Sequence, residues 1–214
     1  KTEVFLDSGA FTELSLHGEY KTSVEEHAAT IHRLHTDGIA NIAVVVCQDY
    51  MCEPFMLEKT GLTIPEHQSR TVERYDALLA ELNMLFGGTI PFPVMPVLQG
   101  FEVEDYLNHM RLYGDRLTHE MWVGVGSVCK RQGNVKVIED LLTAIKLARP
   151  DLRLHGFGVK ITALLSSAVR GLLHSADSMA WSFSARKQGR DANDWREAEK
   201  LTLRIAEQFV SDLV

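Results

Sequence analysis

Cysteine is scarce in this 214-residue chain, and the three thiols present, Cys47, Cys52 and Cys129, cannot build a disulfide framework. That scarcity excludes the small stapled folds of secreted proteins and fits a reducing compartment, so a cytoplasmic protein is expected. Long apolar runs are lacking too: nothing approaches the roughly 18 uninterrupted residues of a membrane span, and no membrane partner is expected. There is no P-loop, no G-x-S-x-G and no HExxH, which leaves a nucleotide-triphosphate cradle, a hydrolase elbow and a zinc-protease helix without support. His27, His32 and His35 share one helical stretch without ligand spacing, on what reads as an outer surface, so neither a metal nor a cofactor is expected.

Positive charge is also short. Lys and Arg number 22 against 29 Asp and Glu, giving a net charge of −7 and a pI near 5.7. A surface that grips nucleic acid all over is thereby disfavoured. Two local basic clusters remain, Lys130–Arg131 and Arg186–Lys187–Arg190, and each fits either a phosphate-contacting strip or an ordinary solvated face.

What is present is a strict alternation of short apolar runs with amphipathic stretches. Strands are expected at Val4–Leu6, Asn41–Cys47, Pro93–Leu98, Met121–Val125, Arg153–Phe157 and Ser175–Ala180. Helices are expected at Ser23–His35, Pro65–Phe86, Val103–Tyr113, Val135–Ala148, Thr162–Leu173 and Trp195–Leu213. Ser23 with Glu26 three residues on forms a capping box, and the run NIAVVVC lacks alternation, as a strand covered on both faces should. Six βα units in sequence argue for an α/β protein with a parallel sheet and helices outside it. A closed (β/α)8 TIM-type barrel needs about 250 residues, so one barrel-like domain over residues 1–214, with its first strands upstream of residue 1, is expected. The rival, a doubly wound open sheet, lacks its fingerprint: Gly124-Val125-Gly126 has no third glycine in register.

Barrel chemistry collects where strands end. The residues just past the apolar runs are Asp7-Ser8-Gly9, Gln48-Asp49, Gln99-Gly100, Gly124 to Ser127 and His155-Gly156, with Asp177 inside the last run. Any one of these could be a turn former or a helix cap. Together they could converge on one pocket holding three carboxylates, Asp7, Asp49 and Asp177. Exchange at a glycosidic bond with retention needs a carboxylate nucleophile and a second acid–base group. A third carboxylate could hold the donor edge of a purine, with Phe11 and His155 stacking on its faces. Met51, Met56, Met84 and Met95 read as packing; Trp181 and Trp195 fit either the core or a place near substrate.

These residues resemble the tRNA-guanine transglycosylase superfamily. Asp7-Ser8-Gly9-Ala10-Phe11 is similar to its DSGGF/Y motif, and Asp177-Ser178-Met179-Ala180-Trp181 with Ala185-Arg186 is similar to its nucleophile strand. Asp49 sits where the family keeps a base-recognising Asp, and Gln99-Gly100 matches its QG motif. Gly124-Val125-Gly126-Ser127 takes the place of a GGL-type loop, and His155-Gly156-Phe157-Gly158 that of an MGVG turn, with His155 for the stacking Met. The resemblance implies Asp177 as nucleophile and Asp7 as acid–base group. It further implies Phe11, Asp49, Gln99, Gly100, Gly124, Val125, Gly126 and His155 around the base.

Two departures narrow the resemblance. No Cys follows Cys129, so the zinc subdomain of the tRNA enzymes is not expected. A Glu that some bacterial members use for an aminomethyl group is replaced near Lys130, which favours a neutral nitrile. The QDYMCEP and GVGSVCKR stretches resemble the compact branch associated with 7-deazapurine modification of DNA. The implied partners are DNA rather than tRNA, a purine or 7-deazapurine base, and partner proteins of a DNA-modification system. A nucleoside or nucleotide glycosidase and a non-catalytic base-binding subunit remain the alternatives.

Overall fold

The computed structural model describes residues 2–128 and 134–211, with side chains described up to residue 207. The elements run β1 (Glu3–Leu6), α1 (Ala10–His17), α2 (Val24–Thr36), β2 (Asn41–Val46), α3 (Pro54–Thr60), α4 (Ile64–Leu85), β3 (Val94–Met95), β4 (Val97–Leu98), α5 (Val103–Tyr113) and β5 (Trp122–Val125). They continue with α6 (Val135–Ala148), β6 (Arg153–Gly156), α7 (Ile161–Leu164), α8 (Ser167–Leu172), β7 (Ser175–Ala176), α9 (Ala180–Lys187) and α10 (Trp195–Ser211).

Every strand pairing is parallel, in two sheets ordered β1-β2-β3 and β4-β5-β6-β7. Neighbours in space are thus neighbours in sequence, without the reversal of order that defines a doubly wound sheet. The strand expected over 93–98 is split at Pro96, which has no N–H to give a ladder. One piece pairs with β2 and the other with β5. Across the break, the Val97 N–H goes instead to the buried Tyr113 hydroxyl at 3.3 Å. The strands also curve: Phe5 of β1 meets Trp122 of β5 edge-on at 5.2 Å and stacks on His155 of β6 at 5.3 Å.

The core follows from the apolar runs. Val44, Val45, Val46, Met95, Val97, Leu98, Val123 and Leu154 pack against Ile31, Leu78, Leu82, Tyr106, Ile138 and Leu141 of the surrounding helices. Each fully buried Leu or Ile contributes roughly 1.5–3 kcal/mol relative to exposure. The Ser23 box forms as the sequence predicts, and a second one, Thr63 with Glu66, starts α4 one residue before Pro65. A separate small cluster of Leu14, Tyr50 and Met56 ties α1 to α3 over the strand ends.

Several expectations need correction. Residues 162–173 form two short helices, because Ser166 caps a new start by accepting the Val169 N–H. The last strand stops at Ala176: the Ser178 hydroxyl accepts the Ala180 N–H and opens α9, so Asp177 lies beyond the strand, not within it. His27 is buried, not on an outer face, while His32 packs on Phe86 at 4.8 Å. Among the four methionines read as packing, Met56 and Met95 are buried, but Met84 is exposed and Met51 lines a cleft. Trp195 is exposed under the Arg196 guanidinium, outside the core. Among the described residues, no helix is long and apolar enough to cross a membrane.

Candidate active site

The ends of β1 and β7 hold one pair of carboxylates. Asp7 follows β1 directly; its Oδ1 accepts the Ser8 N–H at 2.8 Å, and Gly9, at φ 74°, turns the chain into α1. That left-handed turn favours glycine. Burial pushes the Asp7 carboxyl above its usual range, and the charge of Asp177 pushes the same way. Asp177 accepts the Gly158 N–H at 2.6 Å and stands 3.6 Å from His155 Nε2, with half of its side chain exposed. The other His155 nitrogen meets Ser175 Oγ at 2.8 Å, and its ring is buried between Phe5 and Phe157.

The other side of the site is built on β2, β4 and β5. Asp49 lies three residues past β2 and is 6% exposed. The Tyr20 hydroxyl donates to its carbonyl at 2.7 Å, and the Gln99 amide donates to its carboxylate. Burial, then the negative charge of Asp7, drives the Asp49 carboxyl up to about 7, with the Gln99 hydrogen bond opposing. Gln99 is fixed at all four polar atoms. Its N–H goes to His109 Nδ1 at 2.8 Å, its carbonyl takes Gln68 Nε2 at 2.7 Å, and its side chain spans Asp49 and Ser127 Oγ, the latter at 2.6 Å. Burial holds His109 neutral, lowered to about 3.

Two cavities join these halves. A cleft of about 720 Å³ is lined by Asp7, Phe11, Asp49, Gln99, Gly126, Ser127, Phe157, Gly158, Asp177, Met179 and Arg186, among others. A smaller one of about 300 Å³ holds His155 with Phe5, Val46 and Ser175. Asp7, Phe157 and Asp177 line both.

The residues expected from the sequence divide accordingly. Asp7, Phe11, Asp49, Gln99, Gly126, Asp177 and Arg186 meet at the large cleft, and His155 opens only on the small cavity. Gly100, Gly124 and Val125 stand behind it. Gly100 faces Asp105 and Tyr106, Val125 is buried in β5, and Gly124 leaves the space that the Phe157 ring occupies. Gly126 likewise lies so close to the Gln99 amide that any Cβ there would collide with it. Lys187 lies over the Phe183 ring at 4.6 Å, and Arg190 is engaged by Glu197 at 2.8 Å. Lys130 and Arg131 lie outside the described residues, as does Cys129.

Sequence reasoning missed Phe157, Ser127 and Glu53. The first read as part of a glycine turn and the second as the end of a glycine loop. Ser127 in fact takes a left-handed backbone, φ 56°, and its hydroxyl accepts the Cys52 N–H and lies 2.8 Å from the buried Glu53 carboxyl. Among the described residues, no three His, Cys, Asp or Glu side chains converge as a metal-ligand set. Chemically, the cleft offers one half-exposed carboxylate, one carboxyl raised towards a proton-carrying role, and a buried acceptor beside a fixed amide.

No curated protein matches the sequence. A family model described as DpdA, deoxypurine in DNA protein A, matches residues 2–212.

Proposed function

The chain belongs to the DpdA family, deoxypurine in DNA protein A, a family of DNA 7-deazapurine modification, and from that premise we propose that it is a base-exchange transglycosylase. It replaces guanine in DNA with a 7-deazaguanine such as 7-cyano-7-deazaguanine. Asp177 attacks C1′ of a target deoxyguanosine while Asp7 gives a proton to the departing guanine. The deazaguanine then enters, loses a proton to Asp7 and recaptures C1′ from the aspartyl ester. Storing the sugar covalently conserves the bond, so the chemical step needs no nucleoside triphosphate. Because the target base is stacked in a duplex, it must be flipped into the cleft or met unpaired.

The observation that carries this reading is that Asp7 and Asp177, each beyond the end of a different parallel strand, line the same two cavities. Asp7, raised by burial and by Asp177, is suited to hold and release a proton. Asp49 supplies acceptors for the ring N–H and amine of the base, and Phe11 and Phe157 supply apolar walls. The same reading takes the parallel strands as an arc of a (β/α)8 barrel, supported by their in-sequence order and by Phe5 reaching across to Trp122 and His155.

The test is incubation with guanine-containing DNA and radiolabelled guanine, followed by denaturing electrophoresis. Label should enter the DNA with the wild-type protein, and Asp177→Asn should abolish both incorporation and any protein–DNA adduct. Release of guanine without incorporation would mean hydrolysis instead; full activity in Asp177→Asn would overturn the mechanism.

A further inference from the structure

Ser127 has one hydroxyl proton and two acceptors competing for it. Gln99 Oε1 lies at 2.6 Å and Glu53 Oε2 at 2.8 Å, while the Cys52 N–H already donates to Ser127 Oγ at 2.8 Å. Gln99 turns its N–H towards Asp49, so its carbonyl faces Ser127 and must receive that hydroxyl proton. Two oxygens 2.8 Å apart then need a proton from the other side. Only a protonated Glu53, donating to Ser127 Oγ, completes the chain.

A second arrangement satisfies the same atoms. If the Gln99 amide turns over, its N–H donates to Ser127 Oγ, the Ser127 hydroxyl donates to a Glu53 carboxylate, and the Gln99 carbonyl accepts from a protonated Asp49. Both forms carry one carboxyl proton and pair every group. The main chain of Gln99 is clamped by His109 and Gln68, so only its side chain can turn, and Gly126 presents no Cβ against it.

We infer that Asp49 and Glu53 hold a single proton between them, passed through Gln99 and Ser127, and that Glu53 is thereby a positioning residue for base recognition. This rests on reading Asp49 as the base-recognising group. A guanine or deazaguanine edge presents donors and selects the form in which Asp49 is the carboxylate and Glu53 keeps the proton. An adenine-like edge, with an acceptor at N1, would be met by the other form.

The surrounding groups leave the contest to these carboxyls. Tyr20, Cys47 and Cys52 are raised by burial and stay neutral, and His109 stays neutral as well. Arg74 lies behind the Tyr20 ring, and Asp105 is occupied by the N–H groups that open α5. Asp7 and Glu53 are the charged groups that raise Asp49.

Two measurements test this. Guanine affinity is followed by calorimetry from pH 5.5 to 8 in the wild type and in Glu53→Gln, whose amide cannot take up the proton. The wild-type affinity should rise at least ~threefold across that range as the competent fraction grows. The Glu53→Gln profile should be flat over the same range; an unchanged profile overturns the shared proton. Independently of any variant or of guanine, infrared spectroscopy of the wild type at pH 6 should show a buried protonated-carboxyl band that Asp49 and Glu53 share. On adding guanine the band should shift in frequency, not disappear. Absence of the band overturns the inference, whereas a band with no guanine binding at any pH would spare it and sink the functional reading.

Discussion

On the β2–β5 side of the cleft, Gln99 has a partner at every polar atom and Asp49 is 6% exposed. On the β1–β7 side, β7 is two residues long, β1 is largely exposed, and Asp177 has 50% of its side chain in solvent. The first side is finished before any ligand arrives: a flat base meets acceptors whose ordering cost is already met by folding. The second side is open because the group it serves, a sugar in a polymer, must approach with chain on both sides. A preorganised half recognises and an accessible half reacts.

The sharpest way to break that division is to remove one carboxylate from each half. Asp177→Asn should eliminate the covalent species outright, because an amide cannot form the ester. Asp49→Asn should leave an adduct detectable while raising the apparent KM for the base, read from initial rates of label incorporation. If instead Asp49→Asn loses the adduct and keeps KM, the halves are wrongly assigned. Asp7→Asn should lower kcat by ~10²–10⁴-fold with a smaller change in KM, as loss of a general acid–base group does.

A smaller effect sharpens the recognition side. Gly126→Ala drives a methyl into the Gln99 amide, and overpacking of this kind costs about 1–3 kcal/mol. Guanine affinity by calorimetry should fall more than kcat does. Equal losses in both would mean that Gln99 serves the reaction as much as the base.

The pH dependence separates the same residues. Asp49 is raised from 3.8 to about 7 in the folded protein. Its burial therefore costs nothing below the unfolded value, and the cost grows as pH rises, reaching its full size above about 7. His109 acts in the opposite sense: lowered to about 3, it loses stability as pH falls below its ordinary value. Melting temperatures of Asp49→Asn minus wild type should thus become more positive between pH 5 and pH 8. A constant difference would mean that Asp49 is not buried as a carboxyl.

The smallest expected effect lies at the rim. Arg186 lines the cleft, whereas Arg190 is tied to Glu197. Arg186→Ala should weaken DNA binding and lower its salt slope by about 1, and Arg190→Ala should do less. Fluorescence anisotropy with a labelled duplex at several salt concentrations distinguishes the two.

Much of this was readable in the chain because Asp7, Asp49 and Gln99 each follow an apolar run, and the end of such a run fixes where the next side chain points. The order of parallel strands followed from alternation alone. The short helices α1, α3 and α9 escaped because they lie in loops over the strand ends, where length and periodicity give too little signal. Glu53 escaped for a different reason: Glu before Pro54 looks like an ordinary helix start, and nothing in its spacing shows that its side chain turns inward. Phe157 was hidden by its neighbours, since a residue between glycines suggests a turn, and the space that admits its ring belongs to Gly124 on another strand.

Ser127 bears on how freely this sequence could drift. Position 127 asks for a left-handed backbone at φ 56°, a hydroxyl, and little volume at once. Glycine would relax the backbone but leave the Cys52 N–H and the Gln99 carbonyl without their partner, each worth about 1–3 kcal/mol when buried. Threonine would keep the hydroxyl, yet a β-branched residue is poorly tolerated at positive φ. Alanine fails on the hydroxyl, and asparagine, which accepts the backbone, fails on size. A saturation library at this codon, sorted for base exchange, should therefore return serine almost alone, an intolerance on a loop where neighbouring exposed positions should accept many residues.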